Sequence, residues 1–224
     1  MNALQKFSQR LHTEWLPAYC CDAQRNYDPS GFKPASIKVS EADARDCMLA
    51  IDQKVVVDAG GGRFRACMSS AHEVLFWEGH KTKSPRSITL WLEPVITFSA
   101  LARLHVAYAW PKENLGTQPR GWAFDLAAYR RGADQPPQIL GEVKKSSSEL
   151  HVLREDLLKL SNGAAPATLP KNSTRKWHAV LVNKPRLVWL VGPNEESYLY
   201  APVFTSSGCT LREANFSAFS HSAA

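Results

Sequence analysis

The amino-acid sequence predicts an α/β fold in which helices flank a central mixed β-sheet. In the second half of the chain, apolar runs of strand length alternate with segments whose apolar residues recur at helical spacing. The predicted order is helix, three strands, helix, two strands, which is typical of a sheet covered by helices. We therefore divide the chain into an N-terminal α+β extension, residues 1–80, and a core, residues 81–224.

Three elements are predicted in the extension. Ser40, followed by acidic residues, predicts a capped helix. Residues 54–57 and 63–66 flank a glycine-rich turn and predict a β-hairpin. An amphipathic helix at the N-terminus is predicted from apolar residues at helical spacing, namely Leu4, Phe7, Leu11 and Trp15.

Two helices and five strands are predicted in the core. The first helix is expected to begin at Ser84 and Pro85 and to bend at Pro94. The second helix follows the third strand and is expected to be capped by Ser147 or Ser148. The predicted strands lie at residues 105–110, 122–129, 138–144, 177–182 and 187–191.

Composition indicates a cytoplasmic protein. The five cysteines are odd in number and form no Cys-x-x-Cys pair, which favours reduced thiols over a disulfide framework. The N-terminus lacks the apolar core of a secretory signal. No apolar run reaches the roughly 18 residues that a membrane span requires, so no membrane partner is expected.

The net charge of +6 favours a polyanionic partner such as nucleic acid. Basic residues cluster at residues 80–86, 130–131, 144–145 and 171–176. Any one of these clusters alone is typical of a solvated surface. The tryptophans in the predicted strands are expected to pack in the core, and one left at the rim of a site could stack on a base.

Glu142 and Lys144 are the most informative pair of residues. They lie in a predicted strand, where side chains alternate, so they share one face about 7 Å apart. Asp125 lies in the preceding predicted strand. If these strands pair antiparallel, both carboxylates converge. The alternative is that Glu142 and Lys144 form an edge-strand ion pair, while Asp125 acts as a cap or pairs with Arg130.

Two converging carboxylates repel each other, and a divalent cation would balance them. Mg²⁺ prefers a few hard oxygen ligands and keeps several waters. Asp125, Glu142 and the backbone carbonyl of Val143 could supply these ligands, and Mn²⁺ could substitute for Mg²⁺. Lys144 could then orient the attacking water or stabilise a phosphoryl transition state.

The run Phe124-Asp125 followed by Gly141-Glu142-Val143-Lys144 resembles the PD-(D/E)xK nuclease superfamily. The resemblance implies a restriction-endonuclease-like core, with Asp125, Glu142 and Lys144 as catalytic residues. Phe124 replaces the usual proline of the motif. Many members carry a further glutamate on the first helix, for which Glu93 is the candidate and Glu78 or Glu73 are alternatives. A polar residue on the helix after the motif, His151 or Arg154, could also face the substrate.

The resulting hypothesis is a Mg²⁺-dependent endonuclease acting on DNA, with double-stranded DNA as the expected partner. RNA cleavage remains open, because this chemistry does not need a 2′-hydroxyl. The alternative function is a non-cleaving nucleic-acid-binding or assembly subunit with a nuclease fold. The extension could recognise the target, form a homodimer or dock onto a partner subunit of a larger complex.

Overall fold

A six-stranded mixed sheet forms the centre of the molecule. The computed structural model describes residues 1–22, 25, 27–132, 134–206 and 208–221. The strands of the sheet are β6 (Leu115–Thr117), β7 (Leu126–Ala128), β8 (Ile139–Val143), β9 (Leu187–Val191), β10 (Ser197–Thr205) and β11 (Gly208–Glu213). The strand order is β11-β10-β9-β8-β7-β6, and of these neighbouring pairs only β8 and β9 run parallel. The predicted α/β fold with a helix-flanked mixed sheet is confirmed.

Helices cover both faces of this sheet. One face packs against α4 (Leu92–Tyr108), and the other packs against α5 (Ser147–Ser161) and α6 (Lys171–Asn183). Side chains alternate along β8, so that Ile139 and Val143 join the α4 side of the core while Leu140 joins the α5 and α6 side. All five residues of β8 are buried. By the same alternation, Glu142 lies on the face that α5 and α6 cover.

The first 80 residues form helices and small sheets beside α4. The helices are α1 (Ala3–Arg10), continued by a wider helical turn (Leu11–Trp15) into α2 (Leu16–Cys20), and α3 (Glu41–Asp52). The strands are β1 (Val56–Asp58), β2 (Arg63–Ala66), β3 (Glu73–Val74) and β4 (Phe76–Glu78), and β4 pairs with β5 (Ile88–Leu90). Helices α3 and α4 pack together, and the extension shares one hydrophobic cluster with α4.

The three elements predicted in the extension are present. Phe7, Leu11 and Trp15 are buried along one face of the first helical segment, and Leu4 packs partly buried against the same cluster. Ser40 caps α3, because its Oγ accepts a hydrogen bond from the backbone N–H of Asp43 at 3.0 Å. The hairpin forms between β1 and β2, which pair antiparallel.

The first core helix begins later than predicted. Ser84 and Pro85 precede β5, and α4 begins at Leu92. Pro94 therefore lies in the first turn of α4, where a backbone N–H has no helical partner, and it introduces no break. The predicted strand at residues 105–110 is wrong, because α4 continues to Tyr108. Residues 105–110 form a short apolar run, and periodicity alone cannot assign so short a run to a helix or a strand.

The predicted strand at residues 177–182 is also wrong, because these residues form the second half of α6. Trp177 and Val180 are buried, whereas Val182 is exposed, as the helical period requires. The predicted strand at residues 122–129 is shorter than expected and begins at Leu126 as β7. The strands predicted at residues 138–144 and 187–191 are confirmed as β8 and β9.

The helix after β8 is confirmed, with its cap one position earlier than predicted. The cap of α5 is Ser146, whose Oγ accepts a hydrogen bond from Glu149 N at 3.3 Å. Within the described residues, no helix is long and apolar enough to cross a bilayer.

Candidate active site

Asp125 and Glu142 meet between neighbouring strands. Strands β7 and β8 pair antiparallel with Leu126 opposite Gly141, which brings Asp125, directly before β7, beside Glu142. Two backbone contacts fix this arrangement. Asp125 N donates to Gly141 O at 3.0 Å, and Val143 N donates to the Asp125 carboxylate (Oδ2) at 2.8 Å. The expected antiparallel pairing of these two strands is therefore present.

Glu142 is buried between two lysines. Its side chain is only 3% exposed, and its Oε1 lies 2.6 Å from Lys144 Nζ and 3.0 Å from Lys176 Nζ. Its second oxygen, Oε2, is buried and has no hydrogen-bond partner among the residues that the structure describes. The Glu142–Lys144 ion pair is present. However, β8 lies in the centre of the sheet, so this pair is not the edge-strand ion pair of the alternative hypothesis. A buried carboxylate oxygen without a partner is unfavourable in free energy, and a bound cation or a hydrogen-bond donor would remove this cost.

Lys176 is a member of this site that the sequence did not single out. It lies on α6, is 5% exposed, and its Nζ also contacts Ala123 O at 2.9 Å and Asn172 Oδ1 at 3.1 Å. Lys176 thus connects Glu142 to the segment that carries Asp125. The sequence does contain a signal, because Ser173, Lys176, Trp177 and Val180 follow a helical spacing and are all buried. This helical spacing is hidden if residues 177–182 are taken as a strand.

Two further acids lie near Asp125. Glu93 is in the first turn of α4 and accepts a hydrogen bond from Trp91 Nε1 at 3.1 Å. Burial and then repulsion from Asp125 raise the pKa of Glu93, and Lys144 opposes this effect. Glu73, on β3, is 6% exposed and accepts a hydrogen bond from Gln118 Nε2 at 3.0 Å. The structure therefore brings both Glu93 and its alternative Glu73 toward the carboxylate pair.

Three other candidates lie in different surroundings. Glu78 accepts hydrogen bonds from Tyr19 and Tyr27 at 2.6 and 2.9 Å and pairs with Arg86 at 2.9 Å, which anchors the extension. His151 pairs with Glu196 at 2.7 Å, and Arg154 donates to the hydroxyl of Tyr200 at 2.7 Å. His151 and Arg154 thus bind residues of the β9–β10 region.

The electrostatic balance of the site is negative. Four carboxyl groups, from Glu73, Glu93, Asp125 and Glu142, interact with two buried or half-buried lysines. Burial, together with repulsion from Glu142, raises the pKa of Asp125 to about 7, against the opposing effects of the Val143 N–H and Lys144. If every group were ionised, the acids would exceed the bases by two charges, which is the charge of one divalent cation.

The residues present fit a sparsely ligated divalent cation. Among the described residues, no group of three or more His, Cys, Asp or Glu side chains is arranged to hold a metal ion. Mg²⁺ needs fewer protein ligands, because it retains waters and binds through one or two carboxylates together with substrate phosphate. Glu142 Oε2, the Asp125 carboxylate and the Val143 carbonyl are the atoms that would hold it.

Lys144 stands at the boundary between this buried cluster and solvent. Its side chain is 16% exposed, and it borders an open groove of about 430 Å³. The other walls of the groove come from α5 and the start of α6, including Ser148 and Asn172. Burial lowers the pKa of Lys144, but attraction to Glu142, the hydrogen bond to Glu142 and attraction to Asp125 and Glu93 together raise it above its usual value, so the lysine stays protonated. A substrate in the groove would therefore meet an ammonium group first.

We expect Glu73 to make the stability of the protein depend on pH. Burial, followed by repulsion from Asp125 and Glu93, raises its pKa from 4.5 to about 7. Between those values the folded protein keeps a proton that the unfolded chain has released, so stability falls as pH rises from 4.5 to 7.

Glu73→Gln should therefore raise the free energy of unfolding at pH 8 by up to about 3 kcal/mol and change it little at pH 4. Urea unfolding at both pH values, beside the exposed-site control Glu155→Gln, measures this. Equal effects of Glu73→Gln at the two pH values would contradict it.

Comparison of the chain with protein-family models, curated proteins and solved structures finds no match. A function can therefore be assigned only from the chemistry of these residues and from the motif around Asp125, Glu142 and Lys144.

Proposed function

We propose that this protein is a divalent-metal-dependent nuclease that hydrolyses phosphodiester bonds in DNA. The observation that carries the proposal is the buried junction of β7 and β8. There, Asp125 and Glu142 lie side by side with Lys144, and within the described part of the chain Glu142 Oε2 has no hydrogen-bond partner. The order of elements from α4 to β9, with Asp125 ahead of the second strand and Glu142 on the third, supports a restriction-endonuclease-like core.

Asp125, Glu142 and the Val143 carbonyl would hold Mg²⁺ or Mn²⁺. When bound, the ion supplies Lewis-acid polarisation of the scissile phosphate and lowers the pKa of a bound water. The chain's own contribution is to present two carboxylates in fixed positions. The backbone N–H of Val143 fixes the Asp125 carboxylate, and two lysines fix the carboxylate of Glu142. Preorganised ligands of this kind lose little conformational entropy on binding.

Lys144 and Lys176 have different roles beside Glu142. Both ammonium groups contact the same oxygen, Oε1. Lys176 is buried and anchored by Ala123 O, whereas Lys144 borders the groove. Lys144 can therefore turn toward a substrate phosphate oxygen or the attacking water while Lys176 keeps Glu142 neutralised. A protonated lysine in that position stabilises the negative charge that develops on the phosphate.

A second candidate function, a non-cleaving nucleic-acid-binding or assembly subunit, is favoured by one specific observation. Glu142 already has two cationic partners, and no third acid is positioned with Asp125 and Glu142 as a ligand group in the described residues. An ion cluster of this kind can stabilise a fold without binding metal. The two candidates differ in whether the protein cleaves phosphodiester bonds, and only the nuclease candidate requires Lys144 for cleavage.

A cleavage panel with a matched lysine control separates the candidates. Supercoiled plasmid, linear duplex, single-stranded DNA and RNA are incubated with Mg²⁺, Mn²⁺ or EDTA. We expect metal-dependent cutting that Lys144→Ala reduces by about a hundredfold or more and that Lys145→Ala, at an exposed neighbour paired with Glu149, leaves within about twofold. Absence of cutting on all four polymers, with nucleic-acid binding retained, would favour the non-cleaving subunit.

A further inference from the structure

Two tryptophans are exposed, although most of the others are buried. The side chains of Trp77 and Trp122 are 62% and 58% exposed, whereas Trp110 and Trp189 are buried in the core. Exposure of an indole ring forfeits the hydrophobic stabilisation that it gains on burial. Both exposed rings belong to segments that lead into the carboxylate cluster, which sets them apart from scattered surface residues.

Trp122 lies three positions before Asp125, in a segment held by α6. Arg175 Nη2 donates to the carbonyls of Gly121 and Trp122, and Lys176 Nζ donates to Ala123 O at 2.9 Å. Trp122 has a φ of +53°, which is unfavourable for a bulky residue. The segment is therefore fixed in a strained conformation that leaves the indole in solvent. Three residues span at most about 10 Å, so Trp122 remains close to Asp125.

Trp77 approaches the same cluster from the extension. It lies on β4, and its ring contacts that of Trp91 edge-on with a centroid distance of 5.7 Å. Trp91 in turn donates to Glu93 Oε2 at 3.1 Å. Trp91 therefore connects the exposed indole of Trp77 to Glu93, whose pKa is shifted by Asp125 and Lys144.

Basic side chains accompany both rings. Lys81 and Lys83 are exposed in the loop that joins β4 to β5, directly after the strand that carries Trp77. Arg120 is exposed two positions before Trp122. Exposed aromatic rings interleaved with basic residues suit a polyanion whose bases are free to stack. Bases within an intact duplex are stacked on each other and do not offer their faces.

We propose that Trp77 and Trp122 stack on unpaired nucleobases next to the phosphodiester bond that is cut. The substrate would then carry unpaired nucleotides at the cleavage position, either in a single strand or in a duplex whose bases are displaced there. This proposal rests on the proposed nuclease function for its position in the reaction. The base-binding step itself occurs without cleavage and can be measured separately.

The test is the affinity for a labelled 12-nucleotide DNA strand and for an abasic strand of the same length and charge, both in EDTA. The wild type should bind the base-containing strand about tenfold more tightly. Trp122→Ala and Trp77→Ala should each lose most of this preference, and Trp122→Phe should retain part of it. Phe216→Ala, which removes a partly exposed aromatic ring near the C-terminus, should keep it.

Equal affinity of the wild type for the two strands, or a base preference unchanged in both tryptophan variants, would overturn the proposal. Absence of binding to either strand would also overturn it. An RNA strand of the same sequence should also bind more tightly than the abasic strand, because stacking depends on the bases and not on the sugar. Base-dependent binding without cleavage on any polymer would refute the nuclease function and leave the base-binding surface standing. Cleavage of duplex DNA by a protein that shows no preference for the base-containing strand would refute the base-binding surface and leave the nuclease function standing.

Discussion

Replacing Asp125 by asparagine should abolish cleavage and at the same time stabilise the metal-free protein at pH 8. The substitution keeps the shape of the side chain but removes one of two carboxylates that would hold the metal ion. Loss of a metal ligand removes several kcal/mol of transition-state stabilisation, so the cleavage rate should fall on the order of a thousandfold or more.

The gain in stability follows from the pKa of Asp125. Burial and repulsion from Glu142 raise it from 3.8 to about 7. Between these values the folded protein retains a proton that the unfolded chain releases, so stability declines as pH rises from 4 to 7. Asparagine cannot ionise and escapes this decline. The melting temperature of Asp125→Asn in EDTA should exceed that of the wild type by up to about 10 °C at pH 8 and equal it near pH 4.

Plasmid cleavage and thermal unfolding of the same preparations measure both effects, with Asp134→Asn at an exposed position as the control. A lower melting temperature for Asp125→Asn at pH 8 would mean that the carboxylate has a stabilising partner without metal. Cleavage at the wild-type rate would remove Asp125 from the site. Replacement of a purely structural aspartate would not give a variant that is both inactive and more stable.

Lys176→Met should destabilise the protein more than Lys144→Met. Lys176 is the more deeply buried lysine, and its ammonium group contacts Glu142 Oε1, Ala123 O and Asn172 Oδ1. Removing one partner from a buried ion pair leaves an uncompensated charge, and the free energy of unfolding should fall by about 3 kcal/mol. Lys144 reaches solvent at the groove, so we expect its loss to cost about 1 kcal/mol.

A double-mutant cycle separates charge from packing. In the Glu142→Gln background, Lys176→Met should cost clearly less than in the wild type, because the buried charge that needs compensation is gone. Urea unfolding of the four proteins at pH 7.5 gives the coupling energy. Equal costs in both backgrounds would show that Lys176 acts only through its contacts with Ala123 and Asn172.

The carboxylate pair could be predicted because it depends on local rules. Alternation along a strand places Glu142 and Lys144 on one face, and a short connection makes antiparallel pairing with the segment of Asp125 the natural arrangement. The structure has this pairing, with Asp125 just outside the strand. The capped helices at Ser40 and after β8 were predictable for the same reason.

Lys176 could not be predicted in this way, and Glu73 could be named only as an alternative to Glu93. The apolar run that begins at Trp177 has the length of a strand, and only its packing against the sheet reveals the helical face that carries Lys176. Glu73 lies on the two-residue strand β3, and its position near Asp125 depends on pairing with β2 and on Gln118, 45 residues away. Contacts between distant segments of this kind leave no periodic signal in the sequence.

The most direct test of the central proposal is hydrolysis of supercoiled plasmid in Mg²⁺ by the wild type and by Glu142→Gln purified in parallel. Glu142→Gln keeps the size of the side chain and removes the negative charge that would hold the metal ion. We predict nicked and linear products from the wild type in Mg²⁺, none in EDTA, and none from Glu142→Gln under either condition. Products formed by Glu142→Gln at the wild-type rate would contradict the proposed site. Absence of products from the wild type on any polymer with Mg²⁺ or Mn²⁺ would contradict the proposed activity.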